Sequence, residues 1–430
     1  MRITVYGLWH LGCVTAACLA EAGFHVTGLD PEEPVVADLR QGRPPLHEPG
    51  LAELTAAGLA ARSLTFTTSP DEALRDADVL WVTFDTPVNE QDEADLPFVR
   101  ERLEAVAPHL RPGTVVLISS QVPVGFTRAL QEAWHGKGLH FAYSPENLRL
   151  GKALDVFRKP ERVIVGAGDA EARARLGALF APFCDRVEWM AVESAEMTKH
   201  ALNAFLATSV TFINELARLC EAVGADAKEV ERGLKSEARI GPRAYLSPGA
   251  AFAGGTLARD VRFLVDFGRR CRISTPLFQG VLASNQQHKS WTLGKVCGLL
   301  AGCTEPVVAV LGLTYKPGTS TLRRSASVEL CCQLRHQGVQ VRAHDPAVTA
   351  LPGELAGVLT LCPTAEEALR GADVAVVATE WPAYRALAAD QVARLMRRPC
   401  VIDPTHFLAA ALAADPRLTY VATGRGRAAA

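Results

Sequence analysis

The first residues whose types and spacing could serve chemistry are GLWHLG, at positions 7–12. They lie between an apolar run typical of a buried strand and a stretch with helical spacing. A helix N-terminus presents unpaired N–H groups and the positive end of its dipole, and both suit a pyrophosphate. Gly7 and Gly12 would allow a tight turn, and Asp30 follows at about the spacing of an acid that binds a ribose 2′-hydroxyl. The motif indicates a dinucleotide site, and aspartate there favours NAD over NADP.

Trp9 makes this motif ambiguous, because the dinucleotide fingerprint has its second glycine at that position. The missing side chain normally lets the backbone approach the phosphates, whereas tryptophan is large. A strand and a helix can also share such a turn without binding anything. The motif alone leaves both interpretations open.

Two further groups of residues could contribute polar chemistry. Lys199 and Asn203 are four residues apart in a long helical pattern, which places them on one face. A single helical lysine is, however, more often a solvated surface residue. The loop AFAGGTLARD (251–260) has glycines that would let backbone amides contact a ligand, although such loops often only turn the chain.

The elements that must position these residues alternate in the first part of the chain. Strand-like runs are predicted at 2–7, 25–30, 64–67, 79–84, 114–119, 140–143 and 162–166. This alternation with helical stretches predicts a parallel sheet covered by helices on both faces. A long amphipathic helix is predicted next, from Ser194 to Val223, with Gly224 as its stop signal.

The rest of the chain repeats this plan after a helical interval that reaches about residue 300. A second series of strand-like runs is predicted at 306–318, 339–346, 372–381 and 399–404. The expected fold is α/β, with two Rossmann-like parallel-sheet domains joined by a helical central domain with a long connecting helix. The expected domains are 1–192, 193–300 and 301–430, and we expect a frayed tail from residue 424.

Composition argues against several classes of function. The formal net charge of −2 gives no support for nucleic-acid or membrane-surface partners. No apolar run approaches the ~18–20 residues of a membrane-spanning helix. The 11 cysteines are scattered, without C-x-x-C pairs or a His/Cys cluster at zinc spacing. We therefore expect no metal site, and reduced thiols in a cytoplasmic protein.

Eight stretches form an ordered series of motifs along the chain. They are GLWHLG (7–12), TPVNEQDEADL (86–96), SSQVPVGFTR (119–128), SPENLRLGKALDVF (144–157), EMTKHALNAFLATSVTFINELARLC (196–220), RIG with SPG and FAGGTLARD (239–260), LGLTYKPGTSTLRRSAS (311–327) and TEWPAYRAL (379–387). In this order they resemble the UDP-glucose/GDP-mannose dehydrogenase family over nearly the whole chain. The resemblance implies NAD as cofactor and a nucleotide sugar, most simply a UDP-sugar, as substrate. Family members oxidise the C6 alcohol to a carboxylate with two NAD, through a thiohemiacetal and a thioester on a cysteine.

The resemblance also implies roles for individual residues. The implied catalytic residues are Lys199, Asn203, Asp260 and Glu146, with Thr256 at the position of the nucleophile. The implied NAD contacts are Gly7, Gly12, Asp30, Thr86 and Arg323. The implied substrate contacts are Glu146, Lys199, Asn203, Arg239, Tyr245, Gly254 and Lys316, of which Arg239 would reach the substrate of a partner subunit. The apolar face of the helix at 194–223 predicts a homodimer, because one small domain would not cover it and the family uses this helix as its dimer core.

Four positions depart from the family pattern. Trp9 replaces a glycine of the phosphate turn, Gln121 a threonine that handles water, and Thr405 an arginine that contacts substrate. Thr256 replaces the nucleophilic cysteine. A thiol with a pKa of ~8.5 supplies some thiolate at neutral pH, whereas a hydroxyl needs a strong adjacent base. The nearest cysteine, Cys271, lies on the predicted next helix, so the thioester route has no nucleophile.

Three hypotheses follow from this sequence. In the first hypothesis the chain is an NAD-dependent nucleotide-sugar oxidoreductase that is limited to one oxidation step or acts on an unusual sugar, because a single hydride transfer needs no covalent intermediate. Alternatively, it is a non-catalytic nucleotide-sugar binder or regulatory pseudoenzyme. In the third hypothesis it is a four-electron enzyme in which Thr256 is the nucleophile.

Overall fold

Alternating apolar strands and helices form the first part of the computed structural model, which describes residues 1–87, 95–146, 148–253 and 256–426. The chain divides into two compact units, Met1–Ala201 and Leu202–Ala430. The strands of the first unit are β1 (Arg2–Tyr6), β2 (His25–Leu29), β3 (Leu64–Thr67), β4 (Val79–Val82), β5 (Val115–Ile118), β6 (His140–Tyr143), β7 (Val163–Ala167) and β8 (Val187–Met190). They form one sheet in the order β3-β2-β1-β4-β5-β6-β7-β8.

Helices cover this sheet on both faces. They are α1 (His10–Glu21), α2 (Glu33–Arg40), α3 (Leu51–Ala60), α4 (Pro70–Leu74), α5 (Leu96–Val106), α6 (Phe126–Ala133), α7 (Ala153–Arg158), α8 (Ala170–Phe180) and the long α9 (Val192–Val223). Strands β4 and β5 are buried at every residue, as expected for parallel strands with helices on both sides. Two apolar clusters form the core, one with Val5 and Val14 and the other with Leu80 and Val82.

The second unit begins within α9 and continues with three helices, α10 (Ala227–Ser236), α11 (Thr256–Arg270) and α12 (Pro276–Leu300). Its strands are β9 (Val307–Leu311), β10 (Gln340–His344), β11 (Thr360–Leu361), β12 (Val374–Val377), β13 (Cys400–Ile402) and β14 (Thr419–Val421). Its remaining helices are α13 (Ala326–His336), α14 (Ala365–Leu369), α15 (Ala389–Leu395) and α16 (Ala409–Leu412). The sheet is parallel throughout, in the order β11-β10-β9-β12-β13-β14.

The predicted fold class is confirmed, with three differences. Strand β7 pairs with β6 in the antiparallel sense, so the first sheet is not purely parallel. Strands β8, β11 and β14 were not predicted, because β8 is only half-buried along its length and the other two are very short. The predicted frayed tail is wrong for residues 424–426.

That C-terminal segment is held against the end of α9. The Gly424 N–H donates to Glu221 at 2.8 Å, and the Gly424 carbonyl accepts from the Ala227 N–H at 2.9 Å. Gly424 has a φ of 77°, and a Cβ atom there would overlap Ala227. Residues 427–430 lie outside the described part of the chain.

No helix among the described residues is long and apolar enough to cross a bilayer. No group of three or more His, Cys, Asp or Glu side chains in the same ranges is arranged to hold a metal ion.

Candidate functional site

The turn after β1 has the geometry of a phosphate cradle. Gly7 has a left-handed φ of 100°, and its N–H donates to the Leu29 carbonyl at 3.0 Å. A Cβ atom at Gly12 would overlap the Gly7 carbonyl oxygen, so only glycine permits this approach of helix and strand. Helix α1 begins at His10, and the first N–H groups of a helix have no acceptor within it. The turn therefore meets the steric and dipolar requirements of a pyrophosphate site.

Asp30 follows β2 at the same edge of the sheet. Its carboxylate accepts hydrogen bonds from the Leu8 N–H at 2.7 Å and the Glu32 N–H at 3.0 Å, so it is fixed beside the turn. Thr86 follows β4 and is also buried, and its hydroxyl donates to the Gln121 carbonyl at 2.8 Å. Both predicted NAD contacts thus lie after strands of the first sheet, where dinucleotides bind in such folds.

Trp9 is the N-cap residue of α1 and does not fill the cradle from inside the core. Its carbonyl accepts from the Cys13 N–H at 2.9 Å, and its side chain makes no capping hydrogen bond with the described residues. The residue is 46% exposed, so moving the indole costs little apolar burial. The glycine geometry, the anchored acid and the uncapped helix end together fit a dinucleotide despite Trp9.

Lys199 is not a solvated surface lysine. It lies on α9 with its side chain 14% exposed, and its ammonium donates to the main-chain oxygen of Glu146 at 2.5 Å. The Glu146 carboxylate lies 3.6 Å from the same Nζ and accepts from the Leu148 N–H at 2.8 Å. Two residues predicted to be catalytic are therefore brought together within the first unit.

Glu196, which the sequence did not suggest, anchors this part of α9. It is fully buried and caps α6, accepting from the Gly125 N–H at 2.6 Å and from the Thr127 N–H and hydroxyl at 3.0 and 2.7 Å. Burial raises the pKa of Glu196, and these hydrogen bonds offset only part of that rise. His200 makes a second contact, from its Nε2 to the Val122 carbonyl at 3.2 Å. The segment after Gln121 is thus fixed to the helix that carries Lys199.

Asn203 and Asp260 form the other predicted pair, within the second unit. The Asn203 amide donates to the carboxylate of Asp260, which is fully buried on α11. Thr256 is the first residue of α11 and is exposed, one turn of helix before Asp260. Cys271 follows the last residue of α11, at the opposite end from Thr256. The helix is therefore in place, and a hydroxyl stands where the family has its thiol.

Three buried polar side chains fix the loop ahead of Thr256. Asn214 accepts from the Gly249 N–H at 3.0 Å, and Asn285 makes two hydrogen bonds to the Phe252 backbone, at 3.0 and 2.9 Å. His288 donates from Nε2 to the Gly249 carbonyl at 2.8 Å, and burial lowers its pKa, which favours the neutral ring. Sequence reasoning missed all three, because each looks like an ordinary polar residue on a helix.

The other predicted substrate contacts are exposed or not described. Gly254 lies outside the described residues. The exposed ones are Arg239, Tyr245, Lys316 and the predicted NAD contact Arg323. The Arg239 guanidinium makes a local ion pair with Glu237 at 2.9 Å. The structure thus does not place these four side chains in an enclosed site within the single chain.

Thr405 lies beside the fixed loop, in the second unit. Its methyl group is 3.4 Å from where a Cβ atom on Gly249 would stand. Its hydroxyl is buried and has no hydrogen-bond partner among the described residues. A short polar side chain therefore occupies the position at which the family pattern has an arginine.

Three family models match the chain in sequence order. They are the NAD-binding domain of the UDP-glucose/GDP-mannose dehydrogenase family at residues 1–184, its central domain at 193–287 and its UDP-binding domain at 309–410. The chain belongs to this family. Because it carries the family's NAD-binding domain with a fitting cradle, NAD is its cofactor, and its scaffold is that of an NAD-dependent nucleotide-sugar dehydrogenase.

Individual relatives agree with this assignment. UDP-glucose 6-dehydrogenase of Pseudomonas aeruginosa is 37% identical over 100% of this chain and 98% of its own length. UDP-glucose 6-dehydrogenase YwqF of Bacillus subtilis is 33% identical over 99% and 98%. The solved UDP-glucose dehydrogenase of Pyrobaculum islandicum has a TM-score of 0.85 at 29% identity, covering 99% of this chain and 98% of that one.

Proposed function

We propose that the protein oxidises one alcohol of a nucleotide sugar, most simply a UDP-sugar, to the aldehyde and transfers a single hydride to NAD. The observation that carries this proposal is a contrast around α9. The Lys199–Glu146 and Asn203–Asp260 pairs are both formed, whereas α11 begins with Thr256 instead of a cysteine. The family's UDP-binding domain at 309–410 supports the substrate class.

The residues divide the work as follows. Gly7, Gly12 and the N-terminus of α1 would hold the pyrophosphate of NAD, and Asp30 would lie toward the ribose. Bound NAD supplies a hydride acceptor for the alcohol carbon. The Lys199 ammonium would stabilise the alkoxide that forms as the alcohol proton is released to water.

A second oxidation is disfavoured because it needs a nucleophile that adds to the aldehyde. The Thr256 hydroxyl is a weak nucleophile without a strong base beside it. The loop ahead of Thr256 is fixed by hydrogen bonds, but these do not make the Thr256 hydroxyl a stronger nucleophile. The aldehyde would therefore be released or trapped by a second reactant.

The test is end-point product analysis. Purified protein is incubated with NAD and a panel of UDP-sugars, with Lys199→Ala as the control, and aldehyde is trapped with hydroxylamine. The expected result is one NADH per sugar, a trapped aldehyde and no NADH above background in the control. No NADH with any sugar would reject catalysis on this panel.

Non-catalytic binding is the second candidate, and Thr256 at the start of α11, in place of the family's nucleophilic cysteine, favours it. A non-catalytic binder is expected to show heat with NAD and with UDP-glucose in calorimetry but to form no NADH with any sugar of the panel. NADH above the Lys199→Ala background would reject this candidate.

A second copy of this chain is the partner that we propose. Phe205, Phe212 and Leu219 recur every seven residues on α9, and they are 70%, 47% and 63% exposed. Such a stripe is typical of a helix that packs against another helix. Light scattering is expected to show a dimer for the native chain and a monomer for Phe212→Glu.

We also propose the division into domains at 1–192, 193–300 and 301–430, which the positions of the three family models support. Eleven free cysteines support a cytoplasmic location.

A further inference from the structure

A buried carboxylate joins the cradle to the segment that carries Glu146. Glu48, in the loop before α3, is 4% exposed. Its Oε2 accepts from His10 Nε2 at 2.9 Å and from the Gly151 N–H at 2.8 Å, and its Oε1 accepts from the Ala153 N–H at 2.8 Å. Because an ionised carboxylate only accepts, His10 must donate through Nε2.

These partners belong to the two candidate ligand-binding segments of the first unit. His10 is the first residue of α1, whose N-terminus faces the predicted pyrophosphate site. Gly151 and Ala153 lie at the start of α7, shortly after Leu148, whose N–H binds the Glu146 carboxylate. Glu48 therefore contacts one segment through a side chain and the other through two backbone amides.

Because Glu48 is buried and charged, loss of any one of these hydrogen bonds would be costly. Burial alone would raise its pKa, but the hydrogen bonds from Gly151, Ala153 and His10 lower the pKa below its usual value. The group is thus ionised at neutral pH, and a buried charge that loses a donor is strongly destabilised. Neither segment can shift without disturbing the hydrogen bonds of the other.

We propose that Glu48 and His10 are positioning residues that couple binding of the dinucleotide at the cradle to binding of the nucleotide sugar beside Glu146. A dinucleotide that fixes the turn before α1 would also fix His10, and through Glu48 it would fix the backbone at Gly151 and Ala153, near the sugar site. Because coupling is reciprocal, each ligand tightens binding of the other by the same factor. The inference rests on the proposed function for the identity of the two ligands.

The test measures coupling without turnover. NADH replaces NAD, so that no hydride transfer occurs, and its affinity is measured by calorimetry with and without saturating UDP-glucose. The native chain is expected to bind NADH at least about 5-fold more tightly with the sugar present, within the usual range of coupling. His10→Phe, which removes the donor, is expected to reduce that factor to about 1, and His10→Gln, which keeps an N–H at similar reach, to restore it.

Asp169→Asn is the matched control, because the Asp169 carboxylate also lies beside a histidine, 3.0 Å from His140 Nδ1, and caps a helix, α8, by accepting from the Ala172 N–H at 2.8 Å. It is expected to leave the coupling factor unchanged. An unchanged factor in His10→Phe, or a factor of 1 in the native chain, would overturn the inference while leaving the proposed function intact. No NADH binding by the native chain would overturn the proposed function as well.

Discussion

The two α/β sheets start from the same turn but use it differently. Gly7 and Gly312 have φ values of 100° and 98°, and each donates its N–H to the end of the neighbouring strand. Leu8 and Leu313 donate their N–H groups, both at 2.7 Å, to an aspartate that follows that strand, Asp30 in the first sheet and Asp345 in the second. The similarity ends with the residue after the leucine.

The N-terminus of α1 has no side-chain cap among the described residues, whereas the N-terminus of α13 is capped by Ser325. Helix α1 begins directly at His10, with Trp9 as an N-cap that makes no side-chain capping bond among the described residues. Helix α13 begins only at Ala326, after a long loop, and its N-cap Ser325 accepts from backbone N–H groups. An uncapped helix N-terminus suits an anion, and of these two helices only α1 lacks a side-chain cap among the described residues.

Asp345 in the second sheet accepts more hydrogen bonds from its own domain than Asp30 does in the first. Asp345 accepts, besides the Leu313 N–H, from the N–H and hydroxyl of Thr314, both at 2.9 Å, and from Trp381 Nε1 at 3.0 Å. A carboxylate with these donors is fully engaged in holding its own domain. Asp30 holds the turn with Leu8 and Glu32, and its place at the sheet edge suits a ribose.

Capping α1 artificially is expected to produce the largest effect. Trp9→Asp places a carboxylate where the pyrophosphate would bind, so NAD affinity should fall at least ~100-fold, about 2.7 kcal/mol. The same cap should raise the stability of the free protein by about 1 kcal/mol. Calorimetry and thermal melts measure both, and Trp9→Gly is the control that should retain NAD binding. Unchanged NAD affinity in Trp9→Asp would show that the open helix end does not hold the phosphates.

Replacing Asp30 and Asp345 one at a time by asparagine should separate an effect on NAD affinity from an effect on protein stability. Asp30→Asn is expected to weaken NAD binding by about tenfold, because a charge-assisted hydrogen bond is worth about 1.5–3 kcal/mol. Asp345→Asn should leave NAD affinity unchanged and destabilise the protein by about 1–3 kcal/mol, since it disturbs a buried network. Denaturant melts and NAD titrations of both variants provide the measurement. Equal losses of NAD affinity would contradict the division of roles.

Removing the cap of α13 should cost stability alone. Ser325→Ala loses the capping bonds and the bond to the Leu313 carbonyl at 2.6 Å, with an expected loss of about 1 kcal/mol in unfolding free energy. NAD affinity should not change. A measurable effect on NAD binding would mean that the second turn also contributes to the cofactor site.

The smallest expected effect is on the pH dependence of stability. Because burial raises the pKa of Glu196 in the folded state, the carboxyl stabilises the fold most below its unfolded pKa of about 4.5. That contribution is lost as pH rises through the folded pKa. Glu196→Gln should therefore flatten the decline in Tm above pH 4.5. A variant with the native slope would show that Glu196 does not titrate in this range.

The sequence allowed the architecture to be predicted more fully than the site. Apolar periodicity located β3, β6 and α9, because each is a simple strand or helix signal bounded by turn residues. It missed β8, whose residues are half-buried, and the packing of Gly424 on α9. Local patterns carry no information about contacts between residues far apart in the chain.

The hydrogen bonds that hold the site together also join residues far apart in the chain, which the sequence could not predict. Glu48 bonds to residues more than a hundred positions away, and Asn285 fixes a loop that precedes it by about thirty. Lys199 was identified by its motif, but its contact with the Glu146 main chain required the structure. The candidate catalytic residues were thus named from the resemblance, whereas the residues that hold them in place were found only in the structure.

The central claim, that Thr256 limits an intact dehydrogenase scaffold to one oxidation, is tested most directly by the ratio of NADH formed to sugar consumed. The ratio is measured at completion for the native chain and for Thr256→Cys with the same UDP-sugar. The account predicts one NADH and an aldehyde for the native chain, and a ratio that approaches two, with uronate, for the variant. Two NADH and uronate from the native chain would contradict it.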